Sequence, residues 1–258
     1  MKRSINILAL FFLTLFLALS THAGANPYKL AYKIEWGRMM LAKSELYVFA
    51  SSHQMTVQAQ IESEGFASLV SKFRSEARAD LVNVDQLWQS KRLWMRRQSG
   101  NESVESWVEW GDSGDVKTQQ RNPELDLAKV HPLASRFSRP VIDPYAAIMR
   151  VLEQVTSVTE CSGSMDIFDG RRHARINITT RGQVMLERDR KNGFEGPSLL
   201  CELELVPLGG HRMNSRTNKR RMISVFLARV TSGQWLPVRI EVEGWIGRII
   251  ARLDTSTH

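Results

Sequence analysis

The stretch Tyr28-Lys29-Leu30-Ala31-Tyr32-Lys33-Ile34-Glu35-Trp36 places Tyr28, Leu30, Tyr32, Ile34 and Trp36 on one side of an extended chain, with Lys29, Lys33 and Glu35 on the other. Side chains of a strand point alternately to opposite faces, so this period of two marks a strand with one face on a core and one in water. The same pattern recurs along the chain. Met55, Val57, Ala59 and Ile61 alternate with Gln54, Thr56, Gln58 and Gln60, and Phe73, Ala77, Ala79 and Leu81 alternate with Arg74, Glu76, Arg78 and Asp80. Leu199, Cys201, Leu203 and Leu205 oppose Glu202 and Glu204, while Leu236, Val238, Ile240 and Val242 oppose Arg239 and Glu241. Met222 to Val230 is apolar on both faces, which predicts a central strand covered on both sides.

Helical signals are few. Asp143-Pro144 opens the best of them: Asp143 suits the N-cap, Pro144 the first helical position, and Ile148, Val151 and Leu152 form one apolar stripe. Phe66 to Val70 predicts a turn or two of helix between strands. Asn122 to Pro140, with Pro123, Pro132 and Pro140, reads as a long crossing loop between two β-rich halves. Asp169-Gly170 is a hairpin turn, and Gly111 to Gly114, Lys191 to Gly193 and Gly209-Gly210 are further turns. About a dozen strands and one or two short helices predict an all-β fold: one curved antiparallel sheet forming a barrel or open half-barrel, with the helix opened by Asp143-Pro144 as a plug.

The first 25 residues have the parts of a secretory signal: Lys2 and Arg3, an apolar run from Ile5 to Leu19, and the small-residue exit Ala23-Gly24-Ala25. Cleavage is expected after Ala25, or alternatively after Ala23, leaving one domain over 26–258. No later run approaches the roughly 20 apolar residues of a spanning helix, so the chain is expected not to span a membrane. Losing Lys2 and Arg3, and no acid, takes the formal charge from +8 to +6. That modest excess favours acidic envelope partners such as lipid headgroups. Nucleic acid is not expected in that compartment. Cys161 and Cys201 are the two cysteines, and an oxidising compartment predicts their pairing. Without C-x-x-C spacing, a structural bridge is favoured over a redox pair.

The second half carries an ordered set of signatures. These are Asp143-Pro144-Tyr145-Ala146-Ala147-Ile148, Cys161, Phe168-Asp169-Gly170-Arg171-Arg172, Gly196-Pro197-Ser198 running into Cys201, Pro207 with Gly209-Gly210, and Trp235-Leu236-Pro237-Val238-Arg239-Ile240 ahead of Gly247. In order and spacing they resemble the exported bacterial family of domains of unknown function DUF3108. The resemblance runs from about Tyr28 to Leu253, more clearly after Asp143, and the family pattern has Gly where this chain has Ala42. It implies an exported β-rich domain and brings no established activity.

Candidate chemistry has local explanations. Asp143 and Asp169 are the carboxylates to consider as an acid/base pair, yet helix cap and hairpin turn account for each. His53, His131, His173, His211 and His258 are scattered without metal-ligand spacing, so neither metal nor other cofactor is predicted. Ser162-Gly163-Ser164 lacks the frame of a nucleophile elbow. Asn177-Ile178-Thr179 matches a glycosylation acceptor but falls in a predicted strand. Three basic runs, Lys91 to Arg97, Arg171 to Arg175 and Arg212 to Arg221, form a positive surface only if the fold converges them. Arg171, Arg172 and Arg175 are the anion-facing candidates. Seven Trp and ten Met raise the prospect of an apolar cavity lined from a concave sheet. Met222 and Phe226 on the double-faced strand, with Ile148 and Leu152 of the helix, are the expected apolar ligand surface.

These features favour a non-enzymatic periplasmic protein that binds a lipid, polymer or protein partner on a curved sheet. A hydrolase acting on envelope material is the alternative from another class, and an assembly factor working through an edge strand is the third.

Overall fold

The period-two runs pair into one continuous sheet in the computed structural model, which describes residues 28–257 except 71, 135–136, 214–219 and 245–246. The expected leader, His258 and positions 214–219 of the basic run from Arg212 to Arg221 lie outside the described residues. The strands are β1 (Tyr28–Trp36), β2 (Met39–Ala50), β3 (Gln54–Ser63), β4 (Phe73–Val84), β5 (Leu87–Ser99), β6 (Glu102–Trp110) and β7 (Val116–Asn122), with helix α1 (Phe66–Val70) between β3 and β4. The second half holds β8 (Val141–Ile142), helix α2 (Pro144–Val158), β9 (Gly163–Phe168), β10 (His173–Leu186), β11 (Gly196–Gly209), β12 (Arg221–Arg229), β13 (Trp235–Gly244) and β14 (Gly247–Leu253).

The order across the 14-stranded sheet is β7-β6-β5-β4-β3-β2-β1-β14-β13-β12-β11-β10-β9-β8. Each half is an antiparallel meander, apart from the short parallel pair β8–β9. The first and last strands join the halves, with Tyr32 opposite Leu253 and Ile34 opposite Ala251. The sheet edges are therefore β7 and β8, and the segment between them in sequence must span the gap. Register shifts at Ile34/Glu35, Asp80/Leu81, Glu109/Trp110, Thr180/Gly182 and Phe226/Leu227 coil the sheet towards closure into a nearly closed barrel.

Helix α2 touches β5, β9 and β13, strands far apart in the sheet order, so it lies inside the curve. Its N-terminus is fixed to β5: Asp143 Oδ1 accepts from the Tyr145 and Ala146 amides, and Ser90 Oγ donates to Asp143 Oδ2 while accepting from the Asp143 amide. Arg150 Nε donates to the Trp88 carbonyl at 2.6 Å. Its far end turns at Thr159, in the left-handed region, and leads to Cys161. There the Cys161–Cys201 disulfide ties it across β10 to β11, amid Val155, Ile178, Leu199 and Leu227. The helix reaches Val158, beyond Leu152, the last residue of the apolar stripe read from the sequence.

The main core joins inward residues of β2 to β6, among them Val57, Ala79, Leu93 and Val108, to Ala146, Ala147 and Met149 of α2. Two expectations need correction. The tryptophans do not gather on one concave surface: Trp88 and Trp110 are buried, whereas Trp94 and Trp107 face each other on the opposite side of β5 and β6 from Leu93 and Val108. The double-faced strand β12 is not central in the sheet. It is sandwiched because α2 covers its inner face and neighbours of Phe226 and Ala228 cover the other.

Candidate functional site

Two concavities deserve a chemical reading, and they share no residue. The first is a slot of about 220 Å³ between α2 and the inner faces of β9 to β13. Ala147, Ile148, Val151 and Leu152 form its helical wall, and Ile176, Leu203, Val225 and Leu227 are among the strand residues opposite. Every lining residue is aliphatic, a Met or a Pro, so a ligand segment there meets no hydrogen-bonding side chain. Lining residues Pro144 to Leu152 span about 12 Å of helix, which makes the slot elongated. Ile148 is 42 % exposed and also lines the slot, so the slot communicates with solvent beside it. Ile148 and Leu152 are thus where the sequence predicts, but Met222 and Phe226 are not. Strand parity puts Ile223, Val225 and Leu227 inward instead; Met222 is 45 % exposed, and Phe226 lies under the Arg239 guanidinium on the other face.

The second concavity is a basic cleft at the gap between the sheet edges. On β5 the inward residues Leu93 and Met95 give way to Arg97. On β6 Val108 gives way to Ser106, with Arg121 of β7 paired beside it. The β9–β10 turn closes over these from the far side of the gap. Gly170 packs against β6 so tightly that a Cβ would meet Val108 Cγ2 at 3.0 Å, and Gln119 Nε2 donates to the Gly170 carbonyl at 2.8 Å. Asp169 organises this turn: its Oδ1 accepts from the Arg171 and Arg172 amides, and its Oδ2 pairs with the Arg172 guanidinium at 2.6 Å. Burial pushes the Asp169 carboxyl up, but Arg172 and these amides outweigh it and hold the group below the usual carboxylate range.

The Gly209-Gly210 pair explains why the turn sits where it does. A Cβ on Gly209 would lie 2.6 Å from the Pro132 carbonyl oxygen, and one on Gly210 would lie 1.6 Å from that of Arg171. Both glycines let backbones approach, so this segment, read from sequence as a turn, is also a junction of three chain segments. The crossing loop is laced to it: the His131 amide donates to the His211 carbonyl at 2.7 Å, and the Gly210 amide to the His131 carbonyl at 2.9 Å.

An inner cavity of about 300 Å³ results, lined by Arg97, Arg121, Arg171, Arg172 and Arg212 against Asp169 and Glu102. It shares Arg121, Arg171 and Arg212 with a wider outer cleft of about 1180 Å³, bounded by Pro123 to Lys129. Burial and the adjacent Arg172 charge hold the Arg171 guanidinium down to about 10. Partial desolvation in the cleft likewise lowers Arg97, whose side chain still reaches solvent, helped by Arg172, and burial lowers Arg121, helped by Arg212. Arg171 and Arg172 therefore converge as their sequence run suggests. Arg175 does not: it sits on β10 and pairs with Asp166, Nε to Oδ1 at 2.7 Å. Arg97 and Arg212 come from the other two basic runs, and Arg121 is the partner that sequence reading leaves unassigned. The signal for Arg97 is a charge on the strand parity that carries Leu93 and Met95.

No family model and no curated protein matches this sequence. Its fold does have a solved counterpart. The β-barrel-like protein of the domain of unknown function DUF1849 from Brucella abortus superposes with a TM-score of 0.54 at 9% identity, over 88% of this chain and 95% of that one. Identity this low speaks to the fold alone. That neighbour belongs to DUF1849, not to DUF3108, the family that the sequence signatures resemble.

Asp143 and Asp169 are each held by their own cap or turn. Among the described residues, no three His, Cys, Asp or Glu side chains gather as a metal would require, and no helix is long and apolar enough to cross a membrane.

Proposed function

We propose that this chain is an exported, periplasmic, non-enzymatic binding protein of the DUF3108 type that holds a hydrocarbon segment of a lipid in the slot beneath α2. The observation that carries the reading is the wholly apolar, elongated lining of that slot. An apolar cavity of about 150 Å³ in another protein stays dry and binds benzene, so 220 Å³ is ample for a stretch of acyl chain. The leader-like first 25 residues and the Cys161–Cys201 bridge support an oxidising compartment.

The test is titration of an environment-sensitive fluorescent fatty acid into the mature protein. Saturable binding is expected in the wild type and in Met222→Gln, an exposed position off the slot. Ile148→Trp, at the solvent side, fills the slot and is expected to weaken binding at least ten-fold while leaving the circular dichroism unchanged. Absence of saturable binding, or equal binding by Ile148→Trp, refutes the reading. Turnover of an ester probe would move it to a hydrolase.

A further inference from the structure

We propose that the cleft lined by Arg97, Arg121 and Arg171 is a binding site for a phosphate-type oxyanion, separate from the apolar slot. On the outward faces of the sheet several arginines are matched: Arg74 pairs with Glu62 and Glu76, Arg181 with Glu202, and Arg252 with Glu35 and Asp189. In the cleft Arg172 is matched by Asp169, but three others are not. Among the described residues Arg97, Arg121 and Arg171 make no ion pair, and none of the residues outside the described set is an Asp or Glu. Arg97 rests on the Phe73 ring at 5.8 Å, and Arg121 Nε is buried with no hydrogen-bond partner.

Five guanidiniums thus line one small cavity with two carboxylates, and one of these, Asp169, is already bonded to Arg172 and to two amides. Converging like charges in a partly desolvated recess oppose folding, so packing gives no reason for this arrangement. The fold nevertheless enforces it from both sides of the gap, through β5 and β7 on one side and, on the other, the β9–β10 turn locked under Gly210. An anion would supply the missing partner.

The donor set specifies its chemistry. Guanidinium forks match ligands that present two or more oxygens in a plane or tripod, and several of them together favour a phosphate, as monoester or diester, over a single carboxylate. The opening into the outer cleft lets the phosphate carry a larger body past Leu125 and Ala128. A soluble phosphate ester and a lipid phosphate headgroup share this chemistry, and the experiment separates them.

Mature, oxidised protein is titrated at low ionic strength with inorganic pyrophosphate by calorimetry and thermal melting. It is also floated with phosphatidylcholine vesicles with and without phosphatidylglycerol. A saturable rise in melting temperature with pyrophosphate, weakened by salt, supports the site with a soluble ligand. Flotation only with phosphatidylglycerol, reversed by pyrophosphate, supports it with a headgroup. In either case Arg121→Gln is expected to weaken binding at least ten-fold and, without ligand, to melt higher than wild type, because a like charge has gone. A structural arginine would melt lower. Arg97→Gln, at an exposed side chain, repeats the binding test should Arg121→Gln fold poorly. No saturable response to either probe, or undiminished binding by the folded variants, overturns the proposal. Fatty-acid binding to the slot is scored separately, so failure of one site leaves the other standing.

Discussion

Gly210→Ala is the sharpest test of how the barrel is closed, because a matched control exists in the same chain. Gly210 and Gly233 both have positive φ, +71° and +80°. An added Cβ at Gly233 meets nothing within 4 Å, whereas at Gly210 it would sit 1.6 Å from the Arg171 carbonyl oxygen and 2.7 Å from its carbon. Gly233→Ala therefore reports backbone strain alone, about 1 kcal/mol, or roughly 2–4 °C in melting temperature for a chain of this size. Gly210→Ala carries the same strain and must also push two backbones apart by well over an ångström, which no rotamer change can relieve. That displacement breaks the Gly210 amide bond to the His131 carbonyl and the neighbouring His131 amide bond to the His211 carbonyl, about 1 kcal/mol each. Forced overpacking adds about 1–3 kcal/mol. The expected total is about 4–6 kcal/mol, read from urea unfolding of the oxidised protein followed by circular dichroism. Equal destabilisation of the two variants, within about 0.5 kcal/mol, would refute the claim that this glycine seats the Arg171-Arg172 turn.

Two other outcomes follow from the same packing. Cys201→Ser frees a loop of 40 residues and is expected to cost roughly 4 kcal/mol while leaving the β signature intact; mature wild type should begin near Asn26 and weigh about 2 Da less than its reduced form, and two alkylatable thiols in freshly isolated protein would contradict the bridge. His211 is buried, which pushes its imidazole below the usual value despite its bond to the Gly209 carbonyl, so the unfolded chain takes up that proton first as pH falls through about 6.5. Its contribution is then complete above that pH and is lost below it, and the fall in urea midpoint between pH 7.5 and 5.5 should be smaller in His211→Gln than in wild type; an equal or steeper fall would count against it.

The sheet was legible because its evidence is local. The alternation in Tyr28–Trp36, Phe73–Leu81 and Leu236–Val242 sets which side chains face in, and Asp143-Pro144 marks the helix start by its own capping chemistry. Errors arose where a local rule meets a non-local choice. Met222 and Phe226 are as apolar as Ile223 and Val225, so parity within β12 could not say which set would meet α2. That was decided by pairing with β13, where Val225 lies opposite Ile240 and both line the slot. The tryptophans failed for a related reason, since Trp94 and Leu93 are adjacent and must face opposite ways whatever their common hydrophobicity.

The basic cleft shows the limit most clearly. Arg97, Arg121, Arg171 and Arg212 come from four segments that sequence separation scatters across the chain, and none pairs with another in the strand ladder. What unites them is a consequence of topology. Because β1 pairs with β14, the chain's middle becomes the open side of the sheet, and whatever closes that side must come from the crossing loop and the β9–β10 turn. Asp-Gly at 169–170 and Gly-Gly at 209–210 look like ordinary turn chemistry in sequence, yet both supply the small cross-section that lets backbones meet at this gap. The closing device and the site are therefore made of the same residues. The turn that seals the barrel is the one that delivers Arg171 to Arg97 and Arg121. A change that loosens closure should weaken oxyanion binding before it unfolds the sheet, because the contacts holding the turn are few whereas the ladders on either side are long.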